Sequence, residues 1–418
     1  TDYTYGDTVD KSGLTFKAKY ASGREVTLAS SDVSMEALRA GDTKLTFWYG
    51  GVSATFGTIT VAKKTVSVPV GGSVVYDGTV HNYREAMTLP DGLNSIYRVR
   101  GGNENAKNVM TSTMTFELYN TDNYQWSAAD PENPVRVTAS WSITKKPLNT
   151  LSIIPIDAQE YTGSAIKPQV TVKNGNPPYE GLSTSDYTLT FRDNERVGQA
   201  SVTISETTDG NYSFTSGTFH FTIKPKKLTI TGVTLAPKVY DGSPNATITD
   251  VTLDGVIPGE DVQVTYTGVR AYFNDRDVDK ANSVTITDTD KFGLSGSASS
   301  NYELDPKEGW TIQGQKISPR PVAITTIRVS DKDYDGTTTA TIDPYNAKFD
   351  PEKLCKYVDG SGNEQTDTLQ VSGTATFADK NASDAAKTVT LSNIALTGDR
   401  AVNYKLTSAP TTTTAFIS

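Results

Sequence analysis

Cysteine and histidine are the side chains through which this chain could carry out nucleophilic catalysis, and both are scarce. Cys355 is the single cysteine, and His81 and His220 are the two histidines. A catalytic serine or cysteine needs a base within hydrogen-bond reach. His220 lies in the alternating run TFHFTI, where we expect it to face solvent, and His81 follows a turn in a different repeat. We therefore predict no catalytic residue and expect that the chain is not an enzyme.

Three aspartates have the spacing of a calcium-binding loop: Asp275, Asp277 and Asp279 in YFNDRDVDK. Such a loop needs a glycine at its sixth position and a glutamate at its twelfth, and the twelfth residue here is Ile286. The glycine is also missing. A solvated loop is therefore favoured over a Ca²⁺ site, and the sequence predicts no metal ion and no cofactor.

Trp48 is the predicted ligand-binding residue. In KLTFWYGG, the residues Leu45, Phe47 and Tyr49 share one face of a strand, so Trp48 points the other way. If the first three pack into the core, Trp48 is exposed, and glycan binding would use such flat aromatic rings beside polar donors. The alternative is a tryptophan covered by the neighbouring repeat or by a loop.

The elements that must position these residues form a repeat. A tyrosine, one residue and a glycine begin at 76, 161, 240 and 334, and an Asn-Tyr pair follows each of them, at 123–124, 211–212, 301–302 and 403–404. The segments WSITKKP, FTIKPKK and IQGQKISPRP each end in a strand-like run followed by Lys or Arg with Pro. Three markers in the same order indicate tandem modules.

The markers divide the chain into five modules, named modules 1 to 5 below: residues 1–64, 65–146, 147–226, 227–320 and 321–418. Thr, Val, Ile and Tyr alternate with polar residues, as in VQVTYTGV, which is typical of strands. The best helix candidate is SMEALRAG at 34–41, with a serine cap and a final glycine. The sequence thus predicts an all-β fold of tandem Ig-like β-sandwich modules in an elongated array. A β-grasp-like variant is the alternative for modules 4 and 5.

The Asp-Gly corner of the triplet predicts a two-residue turn, because glycine readily adopts the positive φ that this turn requires. A strand such as PKVY would then fold back into NATITDV. The tyrosine ring would cover the end of the core while its hydroxyl reaches a polar partner. The alternative is that these tyrosines contact a ligand.

The linkers between modules are short and contain proline, which makes them semi-rigid. Strands of up to ten residues would give each module a length of roughly 30–40 Å, at ~3.3 Å per residue. Five modules in line would form a rod on the order of 150–200 Å by the same arithmetic. A rod of this length would hold its two ends far apart.

Charge and composition narrow the class of protein. The chain has 418 residues, a net charge of −9 and a pI near 5.0, without the basic stripe that is usual in nucleic-acid binding. A single cysteine excludes an intrachain disulfide but does not decide the compartment. No apolar run approaches the ~18 residues of a membrane span, and the first residues, TDYTYGDTVD, lack a signal-peptide pattern. We expect both ends to be cuts within a longer protein.

Motifs in all five modules resemble known bacterial families. Module 3 resembles bacterial immunoglobulin-like repeats through Tyr161-Thr162-Gly163, DYTLTFRDNERVGQASVTI and GNYSFTSGTFHFTI, and module 2 resembles a sister repeat. Modules 4 and 5 resemble YDG-type (MBG-like) repeats of large bacterial surface proteins through KVYDGSPNATI and KDYDGTTTATI. Module 1 is similar to group 3 bacterial Ig-like domains through YGDTVDKSGLTFKAKYASGREV and TFWYGGVSATFGTITV.

The resemblance implies extracellular tandem modules of adhesins, S-layer-associated proteins and cell-wall-bound enzymes, mostly from Gram-positive bacteria. It implies a location at the bacterial cell surface or cell wall and supplies no catalytic residues. We therefore expect a monomeric stalk or adhesin region that spaces or presents a binding head. A host glycan or a matrix protein is the possible partner. The alternative is a set of carbohydrate-binding accessory modules of a secreted or wall-attached glycoside hydrolase.

Overall fold

The structure, a computed structural model, describes residues 1–305, 309–351 and 354–418. Its contacts group the chain into two compact units. Unit 1 holds residues 1–157, 167–192 and 200–221, and unit 2 holds residues 158–166, 193–199 and 222–418. Modules 1 and 2 therefore lie in unit 1 and modules 4 and 5 in unit 2, whereas module 3 contributes to both. The five module boundaries themselves remain predictions and serve here as labels.

Module 1 is built from short strands. They are β1 (Asp2–Thr4), β2 (Phe16–Lys19), β3 (Glu25–Leu28), β4 (Ser34–Met35), β5 (Leu45–Tyr49), β6 (Val52–Phe56) and β7 (Thr60–Ala62), with a 3-10 turn at Ser30–Asp32. β2 and β3 form a hairpin, β4, β5 and β6 form an antiparallel sheet in that order, and β1 pairs in parallel with β7. Leu45 and Phe47 of β5 pack into the core with Val33 and Val61.

The helix predicted at 34–41 is wrong. Ser34 and Met35 form β4, which pairs with Trp48 and Phe47 of β5, and Leu38 packs into the core beyond it. A helix of two turns is marginal on its own in water. Strand pairing and the burial of Leu38 therefore outweigh the local helix signal.

Module 2 is held by a four-stranded sheet. Its elements are β8 (Lys64–Val66), β9 (Gly72–Val75), β10 (His81–Asn82), α1 (Tyr83–Ala86), β11 (Tyr97–Gly101), β12 (Asn105–Ala106), β13 (Met110–Leu118), β14 (Tyr124–Trp126) and β15 (Arg136–Thr144). The sheet has the order β11-β13-β15-β9. Large side chains at alternate positions, Phe116 of β13 and Trp141 of β15 among them, are fully buried against Tyr83 and Tyr97.

Module 3 follows the same strand-rich pattern. Its strands are β16 (Lys146–Pro147), β17 (Leu151–Ile153), β18 (Gln159–Glu160), β19 (Val172–Asn174), β20 (Tyr187–Arg192), β21 (Gly198–Glu206), β22 (Tyr212–Ser213) and β23 (Gly217–Lys224). Within unit 1, β20 pairs antiparallel with β21 and β17 with β19. Val172, Tyr187 and Val202 pack in the core between these strands.

Module 4 consists of two main sheets and two short strand pairs. Its strands are β24 (Lys226–Leu235), β25 (Lys238–Val239), β26 (Asn245–Ala246), β27 (Ile248–Asp254), β28 (Gln263–Thr265), β29 (Arg270–Phe273), β30 (Ser283–Thr287), β31 (Gly293–Ser295), β32 (Tyr302–Leu304), β33 (Thr311–Gln313) and β34 (Ile317–Ser318). The sheets have the orders β27-β24-β32 and β26-β29-β30-β33. Single 3-10 turns lie at Thr289–Lys291 and Ser299–Asn301.

Module 5 repeats this plan. Its strands are β35 (Arg320–Val329), β36 (Thr339–Ala340), β37 (Ile342–Asp350), β38 (Lys356–Val358), β39 (Glu364–Thr366), β40 (Gln370–Phe377), β41 (Ser383–Thr397), β42 (Tyr404–Ser408) and β43 (Thr412–Ile417). Sheets of order β37-β35-β42 and β36-β40-β41-β43 enclose a core to which Ile324 of the first and Val389 of the second contribute. The described residues of module 5 are helical only at the 3-10 turn Ala401–Asn403. The arrangement is thus a β-sandwich rather than a β-grasp, and the prediction of an all-β tandem array is confirmed.

A parallel strand pair closes each module. The last strand of modules 1 to 4 lies parallel to a strand near that module's beginning, in the pairs β1 with β7, β9 with β15, β18 with β23 and β25 with β34. Module 5 has the corresponding parallel bridge between Lys332 and Ile417. The chain therefore enters and leaves a module along neighbouring strands that run in the same direction.

The Asp-Gly corner turns the chain between sheets rather than into a hairpin. Gly242 has the expected positive φ of 84°, and Asp241 accepts hydrogen bonds from both the N–H and the hydroxyl of Ser243. However, β25 before the corner pairs with β34, whereas β26 after it pairs with β29. The predicted hairpin is therefore wrong, and the corner carries the chain from one sheet to another.

Candidate functional site

A groove on module 1 lies between the β2–β3 hairpin and strands β5 and β6. It has a volume of about 370 Å³, and its lining includes five aromatic side chains: Phe16, Tyr20, Phe47, Trp48 and Tyr49. The glycine pair Gly50-Gly51, which adopts positive φ at both residues, turns β5 into β6 at its end. Trp48 therefore lines a groove together with residues far from it along the chain, such as Phe16 and Tyr20.

Trp48 is 42% exposed, as a ligand contact would require. Leu45 and Phe47 are buried as predicted, but Tyr49 is 38% exposed and does not join them in the core. The reason is that β5 ends at Tyr49, where the Gly50-Gly51 turn leads the chain away from the core. The ligand-binding role of Trp48 remains a prediction.

The rim of the groove offers both apolar and hydrogen-bonding contacts. β6 is an edge strand, and its Val52 lines the groove as an exposed apolar residue. The charged residues of the lining are Lys17 and Lys19, of which Lys17 forms an exposed ion pair with Glu25 at 3.8 Å. A ligand could therefore stack on the aromatic rings while it accepts hydrogen bonds from lysine or from the free edge of β6.

A second set of contacts forms where the sequence markers of successive modules meet. In modules 2, 3 and 4, the tyrosine of the Tyr-Xaa-Gly triplet packs edge to face on the tyrosine of the next module's Asn-Tyr pair. The ring centroids are 5.4 Å apart for Tyr76 and Tyr212, 5.6 Å for Tyr161 and Tyr302, and 5.6 Å for Tyr240 and Tyr404. The two markers that looked independent in the sequence are therefore the two halves of one contact.

The asparagine of the same pair fixes the preceding module. Its Oδ1 accepts a hydrogen bond from a backbone N–H: Val109 to Asn211 at 2.9 Å, Val197 to Asn301 at 3.2 Å, and Val278 to Asn403 at 2.8 Å. All three asparagines are buried. A buried asparagine that binds across a joint in this way satisfies a backbone donor that would otherwise be costly to bury.

The basic residue at each joint completes the arrangement. Lys64, Lys146, Lys226 and Arg320 lie in β8, β16, β24 and β35, opposite Tyr124, Tyr212, Tyr302 and Tyr404 in parallel strand pairs. The predicted short, semi-rigid linkers therefore lie within strands β8, β16, β24 and β35, which we call joint strands. We call the joint strand, the tyrosine pair and the asparagine hydrogen bond together a clasp.

Modules 1 and 2 are joined by a clasp that the sequence analysis missed. Tyr5 packs edge to face on Tyr124 with centroids 5.1 Å apart, and the backbone N–H of Ala40 donates to Asn123 at 2.9 Å. Tyr5-Gly6 lacks the residue that separates tyrosine and glycine in the other triplets. The Asn-Tyr pair at 123–124 is the signal that could have pointed to a partner upstream.

A carboxylate strengthens the clasp between modules 3 and 4, which lies within unit 2. Glu260 accepts hydrogen bonds from the hydroxyls of Tyr161 at 2.6 Å and Tyr302 at 2.5 Å. The hydrogen bond to Glu260, together with burial, raises the pKa of Tyr161 to about 12. The neutral phenol is thus the form that this joint stabilises.

The clasp between modules 4 and 5 contains Asp277, which the sequence analysis assigned to a solvated loop. That assignment is wrong for Asp277, because it is buried and accepts hydrogen bonds from Arg400 at 2.8 Å and from the Asn403 side chain at 3.0 Å. Burial raises the pKa of Asp277. Hydrogen bonds from Asn403 and Lys280 and the charge of Arg400 lower this pKa by more than burial raises it, so the net shift is downward. Among the residues that the structure describes, no group of three or more His, Cys, Asp or Glu could hold a metal ion.

Cys355 also belongs to this clasp. Its backbone N–H donates to the Tyr404 hydroxyl at 2.9 Å, and its sulfur lies 3.8 Å from the carbonyl oxygen of Tyr240 and 3.1 Å from Arg320 Nη1. The thiol is buried. The single cysteine therefore lies where two modules meet, which makes it an internal reporter of that joint.

The histidines take part in neither arrangement. His81 is held between Glu85 at 2.7 Å and Asp77 at 3.0 Å, and the hydrogen bond to Glu85 is the main cause that raises the pKa of His81. His220 is exposed on β23, as predicted. Within the parts of the chain that the structure describes, no helix is long and apolar enough to cross a membrane.

Comparisons with protein families identify three parts of the chain. Residues 224–309 and 318–414 match the YDG domain, and residues 1–61 match the bacterial Ig-like domain (group 3). The predicted resemblance to group 3 Ig-like and YDG repeats is thereby confirmed. No curated protein sequence matches the chain.

Solved structures superpose only weakly on the whole chain. Domains 4–9 of the surface layer protein SbsC share 12% identity, with 93% of this chain and 76% of that chain covered, at a TM-score of 0.17. Protocadherin Gamma B2 extracellular cadherin domains 1–5 share 10% identity, with 96% of this chain and 91% of that chain covered, at a TM-score of 0.18. Sidekick-1 immunoglobulin domains 1–5 share 12% identity, with 73% of this chain and 78% of that chain covered, at a TM-score of 0.18. TM-scores this low carry no argument about this chain.

Proposed function

Because the chain carries a bacterial Ig-like domain and two YDG domains, we propose that it is a non-catalytic, extracellular stalk region of a bacterial cell-surface protein. Its role is to space a binding head from the cell. Domains of these families are typical of repeat regions outside the cell. Antibodies against the chain should then label intact, unpermeabilised cells, whereas labelling that requires lysis would contradict the proposed location.

The observation that carries the stalk proposal is the clasp at every joint. An edge-to-face tyrosine pair contributes ~0.5–1.5 kcal/mol beyond its buried area, and a net hydrogen bond contributes ~0.5–1.5 kcal/mol. With a joint strand added, each clasp opposes bending where two modules meet. A stalk requires this property, because a flexible joint would let the head fall back towards the cell.

Small-angle scattering tests whether the clasps stiffen the chain. Replacing Asn123, Asn211, Asn301 and Asn403 together by alanine should broaden the distribution of interatomic distances relative to the native chain. A matched control replaces exposed asparagines outside the clasps, such as Asn346 and Asn381. Identical scattering from the clasp variant and the native chain would contradict a stiffening role.

A second candidate function is adhesion through the groove on module 1. The observation that favours it is the cluster of exposed aromatic residues Tyr20, Trp48 and Tyr49 on the groove. The full chain should then bind a glycan or a host matrix protein in a saturable manner, and Trp48→Ala should weaken binding at least tenfold. Tyr345→Ala, which alters an exposed tyrosine of module 5, is the control.

Binding of the full chain to a panel of glycans and host matrix proteins separates the remaining alternatives. Binding confined to a structural polysaccharide would favour accessory modules of a glycoside hydrolase, and binding to host glycans or matrix proteins would favour an adhesin. No binding by the full chain to either class would leave the stalk as the function.

A further inference from the structure

Module 5 carries the same Tyr-Asp-Gly corner as module 4. Lys332 binds Asp335 at 2.7 Å, as Lys238 binds Asp241 at 2.8 Å. Asp335 also accepts a hydrogen bond from the backbone N–H of Thr337 at 2.8 Å. The corner of module 5 is therefore held by the same contacts as the corner of module 4, where it forms half of a clasp.

The backbone at the two corners agrees as well. The N–H of Tyr334 donates to the carbonyl oxygen of Ser418 at 2.9 Å, and that of Tyr240 donates to Ser318 at 2.9 Å. Gly336 has a φ of 76°, close to the 84° of Gly242. Each tyrosine is thus anchored to the end of its own module's closing strand.

The two corners differ in what covers them. Tyr240 is 1% exposed because it packs on Tyr404 of module 5, whereas Tyr334 is 56% exposed. A Cβ on Gly242 would lie 1.9 Å from the carbonyl oxygen of Lys356 in module 5, whereas a Cβ on Gly336 would meet nothing within 4 Å. The corner of module 5 thus presents an aromatic ring and a bare glycine to solvent.

Module 5 also has a residue at the position that corresponds to the backbone donor of the clasp. In module 4, the backbone N–H of Val278 donates the hydrogen bond that Asn403 accepts. Val278 is the fifth residue after the buried Phe273. In module 5 the fifth residue after the buried Phe377 is Ala382, which is exposed. In module 4, the ring of Tyr240, the glycine Gly242 and the N–H of Val278 all meet module 5. The matching residues of module 5 are Tyr334, Gly336 and Ala382, which are here called the distal face.

We propose that the distal face is a docking surface for a further β-module that carries an Asn-Tyr pair at the start of a strand. Its asparagine would accept from Ala382, its tyrosine would pack on Tyr334, and its backbone would approach Gly336. The argument is continuity with the four clasps that the chain already contains. It concerns recognition at one face of module 5 and holds whether or not the chain is a stalk.

A second copy of this chain does not fit as the occupant. Four Asn-Tyr pairs, at 123–124, 211–212, 301–302 and 403–404, are already engaged in clasps. The fifth pair, Asn82-Tyr83, is held inside module 2, where Asn82 caps α1 and Tyr83 is fully buried. Module 1 has no asparagine at all in residues 1–64. The proposed occupant is therefore a separate module of Asn-Tyr chemistry that is joined to this chain after module 5, as modules 2 to 5 are joined to the modules before them.

A fusion protein provides the test. The full chain is followed directly by a second copy of residues 319–418, which reproduces the spacing between Ser318 and Arg320 at the joint of modules 4 and 5. Cys355→Ser in the resident module leaves the appended Cys355 as the only thiol. We expect this thiol to react with a maleimide as slowly as Cys355 of the native chain, and Tyr334→Ala to accelerate the reaction at least tenfold. The control Tyr345→Ala should leave the rate unchanged.

Urea unfolding supplies a second measurement that does not depend on the thiol. Because Tyr334 is exposed in the chain alone, Tyr334→Ala should lower the unfolding midpoint of the fusion and leave that of the unfused chain unchanged. An appended thiol that reacts equally fast with and without Tyr334 would overturn the proposal. An equal effect of Tyr334→Ala on the fused and unfused chains, or no effect on either, would also overturn it.

Discussion

At the scale of single residues, the buried asparagines hold the joints by making hydrogen bonds to the neighbouring module. Asn403 accepts from Val278 in one module while it lies in another, and its amide donates to Asp277 at 3.0 Å. A short side chain with both an acceptor and donors can satisfy two groups at once. Alanine could satisfy neither, so the dipeptide Asn-Tyr recurs at each joint.

Asn403→Ala should therefore destabilise the joint of modules 4 and 5. It leaves the half-buried Val278 N–H without its acceptor, and the loss of a hydrogen bond costs about 0.5–1.5 kcal/mol. Urea unfolding should show a lower midpoint for the variant. Asn381→Ala, at an exposed position of module 5, is the control, and an equal loss in both variants would contradict the role given to Asn403.

Tyr161 makes the joint of modules 3 and 4 sensitive to alkali. The pKa of Tyr161 is raised from 10.0 to about 12, so folding favours the protonated phenol. This contribution is complete below pH 10 and is lost as the pH rises towards 12. Tyr161→Phe removes the titrating group, so its unfolding midpoint should fall less steeply than that of the native chain over this range. Parallel profiles for the two proteins would contradict the assignment.

At the scale of the element, the Tyr-Asp-Gly corner shows that a local turn motif can also be required by a contact with a residue far away in the sequence. Its glycine adopts positive φ in modules 2, 4 and 5, but in module 4 it also leaves space for Lys356 of the next module. The sequence indicates the first role, since Asp-Gly is a turn signal. It contains no local sign of the second, because residues 242 and 356 are far apart along the chain.

The glycines of two corners form a matched pair for mutation. Gly336→Ala should cost about 1–2 kcal/mol, because a residue with a Cβ must adopt positive φ there. Gly242→Ala should cost more, since its Cβ would also collide with the Lys356 carbonyl oxygen. Comparison of the two unfolding midpoints measures the difference. Equal losses would mean that module 5 yields to the new methyl group without cost.

At the scale of the whole molecule, the repeat made most of the fold predictable. Alternating Thr, Val and Ile indicated strands, and markers in a fixed order indicated modules. What joins the modules was not predictable, since the sequence gives no distance between Tyr240 and Tyr404. The partner of Asp277 was missed for the same reason, because Arg400 lies in another module. In module 1, periodicity predicted the exposure of Trp48 but not the end of β5 at Tyr49.

The clasps should also couple the unfolding of neighbouring modules. Replacing Tyr76, Tyr161 and Tyr240 together by alanine removes one ring from three tyrosine pairs. The native chain should then unfold over a narrower range of temperature than the variant, whose modules melt more independently. Calorimetry measures the widths directly, and equal widths would show that the tyrosine pairs do not couple the modules.

The parallel strands that close each module determine how the chain carries a pulling force. Because the chain enters and leaves along neighbouring strands of the same direction, tension on its two ends slides those strands past one another. In this shear geometry the hydrogen bonds between the two strands share the load, rather than breaking one after another as in a peeled hairpin. The same short pairs that complete the sandwiches, β9 with β15 and β25 with β34 among them, are thus placed to resist extension.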